Sequence, residues 1–393
     1  MRLHGHRRSH LRGVVCTRAV DRSNDVHMSK VGWLRRVGGI AIPIVVVAAL
    51  AALSGHAIAQ KPRLDSVRPL AIEISAKPIN SFDRPGTSRK QYGRLEWRGG
   101  LVLTSTDPNF GGWSGLVLDD AGRRFLSVSD AGTWMSGEIT YADGRPTGMK
   151  DAKISSLRAI GGRPLSRGRD KDAESVTLAS GTLEKGTALI AFESNHRIGR
   201  FPIVNGQLSA PAGYLNRPAE TPKLSRNASF ESIGVLKGGR HKGSPIAIAE
   251  RLTNERGDHT GWLWIDGQPR SFYLADIDEF DITDLATLPD GNVIVLERRF
   301  RWTEGVKMRL RLIDGRDIAP GARLEGETLF QADMSYEIDN MESVAAQTNS
   351  RGETIITLLS DNNFNSFIQR TILLQFALTG DSTASAAPSN RKP

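Results

Sequence analysis

The hydrophobic and polar positions of this chain follow a pattern that recurs five times. Each copy has a polar residue, a short apolar run, a turn containing Gly, Asn or Asp, and a second apolar run that closes on an acidic residue. Gly or Asn in such a turn accepts a positive φ without steric cost, which is typical of a β-hairpin. The closing runs, FLSVS, ALIAF, PIAIA, VIVL and TIITLL, are rich in apolar residues, as expected of strands buried on both faces.

The spacing of the copies predicts the fold. Their first positions are Ser114, Glu174, Glu231, Asp284 and Glu342, which lie 60, 57, 53 and 58 residues apart. A hairpin and a spacer long enough for two more strands make a four-stranded unit, the size of a propeller blade. No long amphipathic helix interrupts residues 60–380. We therefore predict an all-β fold, a β-propeller.

The two ends of the domain are predicted to complete a blade together. Residues 65–106 contain the strand patterns AIEISAKPI and LEWRGGLVLTS, and residues 371–378, TILLQFAL, form the last apolar run. Counting this composite blade beside the five repeats favours six blades, with five as the alternative. Residues 381–393 are rich in Ser, Ala and Pro, have little to bury, and are predicted to be a disordered tail.

The first 59 residues have the pattern of an N-terminal extension and a secretory signal peptide. Arg35 and Arg36 precede the apolar run of residues 40–53, and Ala57-Ile58-Ala59 supplies the small residues that a signal peptidase recognises. The apolar run is shorter than the ~20 residues of a membrane-spanning helix. We expect cleavage after Ala59 and a periplasmic or secreted product that contacts the membrane only through its signal peptide. Met28 is an alternative start of translation, which would leave residues 1–27 outside the signal. The arginine pair leaves twin-arginine and general secretion open.

Removal of this segment changes the charge of the protein. The chain has 52 basic and 43 acidic residues, a net charge of +9, but residues 1–59 carry nine of the basic and two of the acidic ones. The remainder is close to neutral, so the composition gives no support for nucleic-acid binding. The single cysteine, Cys16, also lies in this segment, so disulfide and thiol chemistry are excluded for the mature domain.

Two sets of acids recur in the repeats. The first set comprises Glu174, Glu231, Asp284 and Glu342. The second set comprises Asp130, Glu193, Glu250, Glu297 and Asp361. Equivalent positions of a propeller converge near its axis, and so many like charges are unfavourable unless a cation, arginines or a proton offsets them.

Calcium fits such a set of oxygen donors. The predicted metal ligands are Asp130, Glu174, Glu231, Glu250, Glu297 and Glu342, with Asn195, Asn362 and Asn363 as further candidates. The alternative is structural: each acid caps loop amides or pairs with a neighbouring arginine, which ties the blades together.

A phosphate-bearing substrate would suit cations combined with arginines. Arg197, Arg251 and Arg298 follow the acids closely and could bind phosphate through two hydrogen bonds each. Glu193, His196 and Asp361 are the candidate catalytic residues, with His196 assisting proton transfer. A serine-hydrolase reading is weaker, because Gly112-Trp113-Ser114-Gly115-Leu116 lacks the final glycine of a nucleophile elbow and lies between strands.

Several of these motifs resemble the bacterial phytase-like family, which carries the description "esterase-like activity of phytase". The resemblance rests on GGWSGL with SDAG, on the DAES and FES units, and on SDNNF followed by Gln369 and the last strand. It implies a propeller related to that of calcium-dependent phytases, in an exported protein that hydrolyses phosphate or other esters. The sequence departs from the family pattern at Trp113 and at Thr283-Asp284.

Three hypotheses follow. The first is a calcium-assisted phosphoesterase that acts on a small ester or phosphoester at the mouth of the propeller, as a monomer. The second is a lactonase-like propeller hydrolase with one metal held by three or four ligands. The third is a non-catalytic propeller that binds a partner in the cell envelope.

Overall fold

The computed structural model describes residues 64–225 and 229–380. The predicted signal peptide and the predicted tail lie outside the described residues. The described part contains a short helix α1 (Gly168–Lys171), a 3-10 helix (Thr221–Lys223) and 25 strands. None of the helices in these ranges is long and apolar enough to span a membrane.

The strands are, in chain order, β1 (Leu70–Ala71), β2 (Ser75–Ile79), β3 (Gln91–Tyr92), β4 (Leu95–Thr104), β5 (Trp113–Leu118), β6 (Arg124–Ser129), β7 (Thr133–Ala142), β8 (Arg145–Ser156), β9 (Ala173–Gly181), β10 (Lys185–Phe192), β11 (Arg197–Val204), β12 (Gln207–Leu208), β13 (Gly213–Tyr214), β14 (Gly234–Val235), β15 (Pro245–Thr253), β16 (His259–Ile265), β17 (Gln268–Leu274), β18 (Asp281–Thr287), β19 (Val293–Arg301), β20 (Gly305–Ile313), β21 (Arg323–Leu324), β22 (Glu327–Ala332), β23 (Met341–Thr348), β24 (Thr354–Ser360) and β25 (Thr371–Leu378).

These strands form five sheets, which are the blades of a propeller. From the outer edge inward, blade 1 has the order β1-β8-β7-β6-β5, blade 2 β12-β11-β10-β9 and blade 3 β21-β17-β16-β15-β14. Blade 4 has the order β22-β20-β19-β18, and blade 5 β2-β4-β25-β24-β23. Strand β13 adds to β11 and β3 adds to β4. Neighbours within a blade are antiparallel except β17 and β21, which are parallel.

The described residues therefore form five blades, and the expected count of six is corrected. Strand β25 pairs with β4 over the register Thr371–Leu103 to Leu378–Leu95, so the two chain ends do share a blade, as predicted. That blade also contains β23 and β24, which are the fifth sequence repeat. The terminal strands complete the fifth repeat and do not add a sixth unit, which is why the count was one too high.

Packing between blades explains the continuous apolar runs. Each of the five hydrophobic clusters draws its residues from two adjacent blades. In β6, Phe125 packs toward blade 5 and Leu126 toward blade 2, because successive side chains of a strand point to opposite faces. A strand between two such cores must be apolar on both sides.

The ring of five blades is tight around its axis. The innermost strands β5 and β9 approach so closely that a Cβ added at Gly115 would lie 2.7 Å from the Val176 amide nitrogen. We call the end of the propeller at which β5, β9, β18 and β23 begin the mouth. The hairpin loops that follow β6, β10, β15, β19 and β24 lie at the same end, since antiparallel partners of these strands end there.

Candidate functional site

A β-bulge interrupts the innermost strand pair at the mouth in blades 1, 2, 4 and 5. The extra residues are Ser114, Glu174, Thr283 and Glu342. In blade 3, Glu231 has the equivalent place, directly after the bridge between Phe230 and Ala249. Bulges re-aim side chains and are frequent beside active sites. The sequence repeat thus places one extra side chain per blade at the mouth.

This strand register shows that Asp284 is not equivalent to Glu174, Glu231 and Glu342, with which the sequence analysis grouped it. In blade 2, Ser175 pairs with Ala191 just beyond the bulge, and in blade 4 Asp284 pairs with Leu296 at the same place. Asp284 therefore corresponds to Ser175, and Thr283 corresponds to Glu174. A shift of one residue exchanges the two faces of a strand, so Asp284 does not belong with the glutamates of the first set.

The same comparison shows that Glu297 is not equivalent to Glu193, with which the sequence analysis grouped it. Glu193 follows Phe192, the last paired residue of β10, whereas Glu297 is itself paired with Ile282. The residue equivalent to Glu193 in blade 4 is therefore Arg298. Glu297 is fully buried and forms ion pairs with Arg309 and Arg311 of β20, so the structure does not bring it to the other acids.

Five carboxylates from blades 2 and 3 lie together at the mouth. One oxygen each from Asp172, Glu174 and Glu193 lies within 4.8 Å of the others, and the same holds for Glu193, Glu231 and Glu250. We call these five residues the carboxylate cluster. Glu193 belongs to both groups and connects them.

The local structure fixes Asp172 and Glu193 beside each other. Asp172 ends helix α1, and its carbonyl oxygen accepts a hydrogen bond of 2.9 Å from the Glu193 amide. The Ser194 hydroxyl donates to the Asp172 carboxylate. Sequence reasoning missed Asp172, although it stands two residues before Glu174 in the DAES motif.

Burial and repulsion between charges make three carboxyls of the cluster, Glu174, Glu231 and Glu250, hard to ionise. Burial raises the pKa of Glu174 well above its ordinary value, and the charges of Asp172, Asp130, Glu193 and Glu342 add to this effect. The pKa of Glu231 is also raised well above its ordinary value, first by burial and then by Glu174, Glu193 and Glu250. Burial raises the pKa of Glu250 to about 7, against the opposing effect of Arg251.

Two arginines border the carboxylate cluster. Arg298 lies 2.9 Å from Glu342 and donates a further hydrogen bond to the Asn340 side chain. Arg251 lies 3.4 Å from Glu250 and binds Asp281 with two hydrogen bonds, one of them 2.8 Å long. More than half of the Arg251 side chain is exposed, so it is accessible from solvent. Asn340 is a second residue that sequence reasoning did not select.

Arg197 and His196 are positioned differently from the expectation. The Arg197 guanidinium lies 3.8 Å from the centre of the Phe192 ring and donates to the backbone carbonyls of Asn195, at 2.9 Å, and Asp170. Burial lowers its pKa. His196 Nδ1 is hydrogen-bonded to Ser229 Oγ at 2.7 Å, two residues before Glu231. Arg197 therefore supports the loop, while His196 lies beside the segment that carries Glu231 and leads into β14.

Asp130 and Asp361 occupy the positions equivalent to Glu193 in blades 1 and 5. The Asp130 amide donates to the Gly112 carbonyl, and a Cβ at Gly112 would lie 2.3 Å from the Asp130 carboxylate. This close approach explains the GGW motif, because Gly112 also has a φ of +67°. The Asp361 carboxylate accepts a 2.7 Å hydrogen bond from the Asn363 amide and is buried. Neither acid is part of the two groups that share Glu193.

The donor set of the carboxylate cluster fits a hard cation. Every ligand atom it offers is a carboxylate oxygen, and Ca²⁺ prefers six to eight oxygens. A bound cation would offset the repulsion that raises the pKa values of Glu174 and Glu231. The residues present thus fit the metal that the sequence predicted, with Asp172 and Glu193 added to the ligands, while Asp130, Glu297 and Glu342 lie outside the two groups.

The fold and this arrangement define a class, a five-bladed β-propeller with a carboxylate cluster at its mouth. Residues 108–364 match the family described as "Phytase-like: Esterase-like activity of phytase", and the chain belongs to that family. The match covers the GGWSGL motif and every residue of the carboxylate cluster. No curated protein matches the sequence.

Two solved structures align with this chain at low similarity. The N-terminal domain of Nup159 aligns with a TM-score of 0.34 at 10% identity, over 75% of this chain and 97% of that domain. The β-propeller domain of Cps50 (Swd1) from Myceliophteria thermophila aligns with a TM-score of 0.33 at 9% identity, over 81% of this chain and all of that domain. These values are too low to inform function.

Proposed function

We propose that this protein is an exported, cation-assisted phosphoesterase whose site is the carboxylate cluster. The observation that carries the proposal is the sharing of Glu193 by two groups of carboxylates whose oxygens lie within 4.8 Å of one another. Membership of the phytase-like family supports a hydrolase-like propeller. Ca²⁺ is the proposed cation because all the ligand atoms are oxygens.

Each residue has a proposed role. Asp172, Glu174, Glu193, Glu231 and Glu250 would hold the cation. When bound, it would supply Lewis acidity toward a phosphoryl oxygen. Arg251 and Arg298 border the cluster and would bind the remaining phosphate oxygens.

Proton transfer would use a group outside the five cation ligands, because a bound cation would keep those carboxylates ionised. His196 and Asp361 are the candidates for this step. His196 is hydrogen-bonded to Ser229, two residues before Glu231, and Asp361 directly follows β24 at the mouth.

Two experiments test the proposal. The first is thermal unfolding with Ca²⁺ or with EDTA, and the second is an assay of the hydrolysis of phosphomonoesters, carboxyl esters and lactones. A ligand that binds only the folded state must raise the melting temperature. We expect a Ca²⁺-dependent rise and phosphate release, both lost in Glu193→Gln and retained in Glu184→Gln, a matched change of an exposed glutamate in the same blade. Turnover of lactones or carboxyl esters alone would favour the lactonase-like hypothesis. If Ca²⁺ does not change the melting temperature and no substrate is hydrolysed, the hypothesis of a non-catalytic propeller that binds a partner would be favoured.

Export forms a separate part of the proposal. Cleavage after Ala59 would release a protein that begins at Gln60. N-terminal sequencing of the protein recovered from the periplasm or medium tests it, and an intact N-terminus there would contradict it.

A further inference from the structure

Large apolar side chains are exposed beside the mouth in blades 4 and 5. Among the described residues, nine large hydrophobic side chains are exposed, and five of them lie at this end of the two adjacent blades, in the β19–β20 hairpin and in two loops. They are Phe300, Trp302, Met334, Phe367 and Ile368, and we call them the apolar strip. Trp302 is 93% exposed and Phe367 95% exposed. Single exposed apolar residues are ordinary, but a group at one end of a protein indicates a binding surface.

The β19–β20 hairpin aligns part of the apolar strip with the carboxylate-bearing mouth. The two strands stay paired as far as Arg301 and Gly305, so side chains alternate regularly along β19. Arg298 reaches Glu342 of blade 5, and Phe300 lies on the same face of β19, while Trp302 follows in the turn after Arg301 and contacts Phe300. Their rings lie 5.5 Å apart at 69°. Two strand residues span roughly 7 Å, so Phe300 lies about that far along β19 from Arg298, with the Trp302 ring against it.

The opposite face of the hairpin carries charges that are already paired. Arg299 lies 2.8 Å from Glu304 and donates to the Asp278 carbonyl at 2.7 Å, while Arg301 pairs with Glu279. Lys307 also pairs with Glu304. These contacts hold the hairpin against the loop that precedes β18. They also engage its basic residues, so the hairpin offers no cluster of unpaired positive charge for an anionic lipid surface.

The remaining members of the apolar strip come from blade 5 and the segment leading to it. Met334 contacts the hairpin, since a Cβ at Gly305 would lie 3.0 Å from its side chain. Phe367 and Ile368 belong to the loop between β24 and β25, which begins at Asp361. The strip thus borders the mouth on the side where Arg298 meets Glu342.

We propose that the apolar strip binds the organic group of the substrate, an aromatic or extended apolar group attached to the ester that the mouth would hydrolyse. This inference rests on the proposed function and specifies its substrate class. An ester bound beside Arg298 would direct its organic group along Phe300 toward Trp302. An exposed Trp offers a large apolar face for such a group, and ring contacts of this kind add to simple burial.

The test compares two substrates in matched variants. For 1-naphthyl phosphate we expect kcat/KM to fall about tenfold in Trp302→Ala and less in Phe300→Ala, while methyl phosphate changes less than twofold. Val204→Ala is the control, since Val204 is exposed at the opposite end of blade 2. Equal losses for both substrates, or no loss for either, would overturn the proposal. Because all three side chains are exposed, the melting temperatures should remain equal.

A binding measurement separates this proposal from the proposed function. Calorimetry with 1-naphthylphosphonate, a non-hydrolysable probe, should show an affinity about tenfold lower in Trp302→Ala than in the unchanged protein. Unchanged affinity with Ca²⁺ binding intact would overturn the apolar strip alone, whereas absent Ca²⁺ binding would overturn the proposed function. Sedimentation with phosphatidylcholine vesicles gives the competing outcome: binding lost in Trp302→Ala would assign the strip to a lipid surface instead.

Discussion

The hydroxyl of Ser175 donates a 2.6 Å hydrogen bond to the buried carboxyl group of Asp284, across the axis from blade 2 to blade 4. The other oxygen of Asp284 accepts from the Val344 amide of blade 5 at 2.9 Å, and Ser175 Oγ accepts from the Ile233 amide next to blade 3 at 3.1 Å. Two side chains, Asp284 and Ser175, therefore connect four of the five blades. Their partners lie one or two residues after Glu174, Glu231 and Glu342, so these contacts hold the segments that carry the three glutamates.

We predict that Asp284→Ala destabilises the protein by about 3 kcal/mol, because buried donors on Ser175 and Val344 would lose their acceptor. Urea unfolding measures this. Asp120→Ala, in an exposed turn of blade 1, is the control and should change stability by less than about 0.5 kcal/mol. A loss at Asp284 no larger than at Asp120 would show that the axial contacts contribute little.

Asp284 and Glu297 also show what the sequence could and could not predict. The period of the repeat sufficed for the propeller, and it selected Glu174, Glu193, Glu231 and Glu250 correctly as acids that meet. A β-bulge adds one residue without changing the hydrophobic pattern, so the sequence did not show that the bulged residue of blade 4 is Thr283 and that Asp284 follows it. Asp172 was missed because it precedes the position that recurs in the other blades and lies directly after a short helix that has no apolar periodicity.

Glu297 allows a prediction that separates a structural acid from a cation ligand. Glu297→Ala should destabilise the protein by roughly 3–5 kcal/mol, because it leaves Arg309 and Arg311 buried without their partner. The Ca²⁺ affinity of the folded fraction should not change. Glu193→Gln should do the reverse, abolishing Ca²⁺ binding with little loss of stability, since it removes one of several repelling charges. Unfolding curves measure the stability of both variants, and calorimetry measures their Ca²⁺ affinity. Weaker Ca²⁺ binding in Glu297→Ala would contradict the strand pairing that separates Glu297 from the carboxylate cluster.

Without a cation, stability should depend on pH through the carboxylate cluster. Burial raises the pKa of Glu250 to about 7 in the folded state, so the folded protein binds a proton more tightly than the unfolded chain does. Stability is then fully present below the unfolded pKa of about 4.3 and is lost as pH rises through 7. The loss from Glu250 alone is on the order of 3 kcal/mol.

Urea unfolding in EDTA at pH 5 and pH 8 checks this dependence. We expect the unchanged protein to be less stable at pH 8, Glu250→Gln to reduce the difference, and Glu184→Gln to leave it unchanged. Saturating Ca²⁺ should remove most of the difference, because a cation favours the ionised carboxylates. Equal stability at the two pH values in EDTA would contradict the pKa of Glu250.

Arg298 occupies the position that an acid occupies in the other four blades, and its positive charge lies 2.9 Å from Glu342. A cation in the carboxylate cluster would be repelled by this guanidinium, while an anionic substrate would be attracted by it. Arg298→Gln should therefore raise the affinity for Ca²⁺ several-fold and lower kcat/KM for phosphomonoesters by at least tenfold. Arg256→Gln, an exposed arginine in the β15–β16 loop, provides the control. Parallel loss of Ca²⁺ affinity and activity in Arg298→Gln would instead mean that Arg298 serves mainly to hold Glu342 and Asn340 in place.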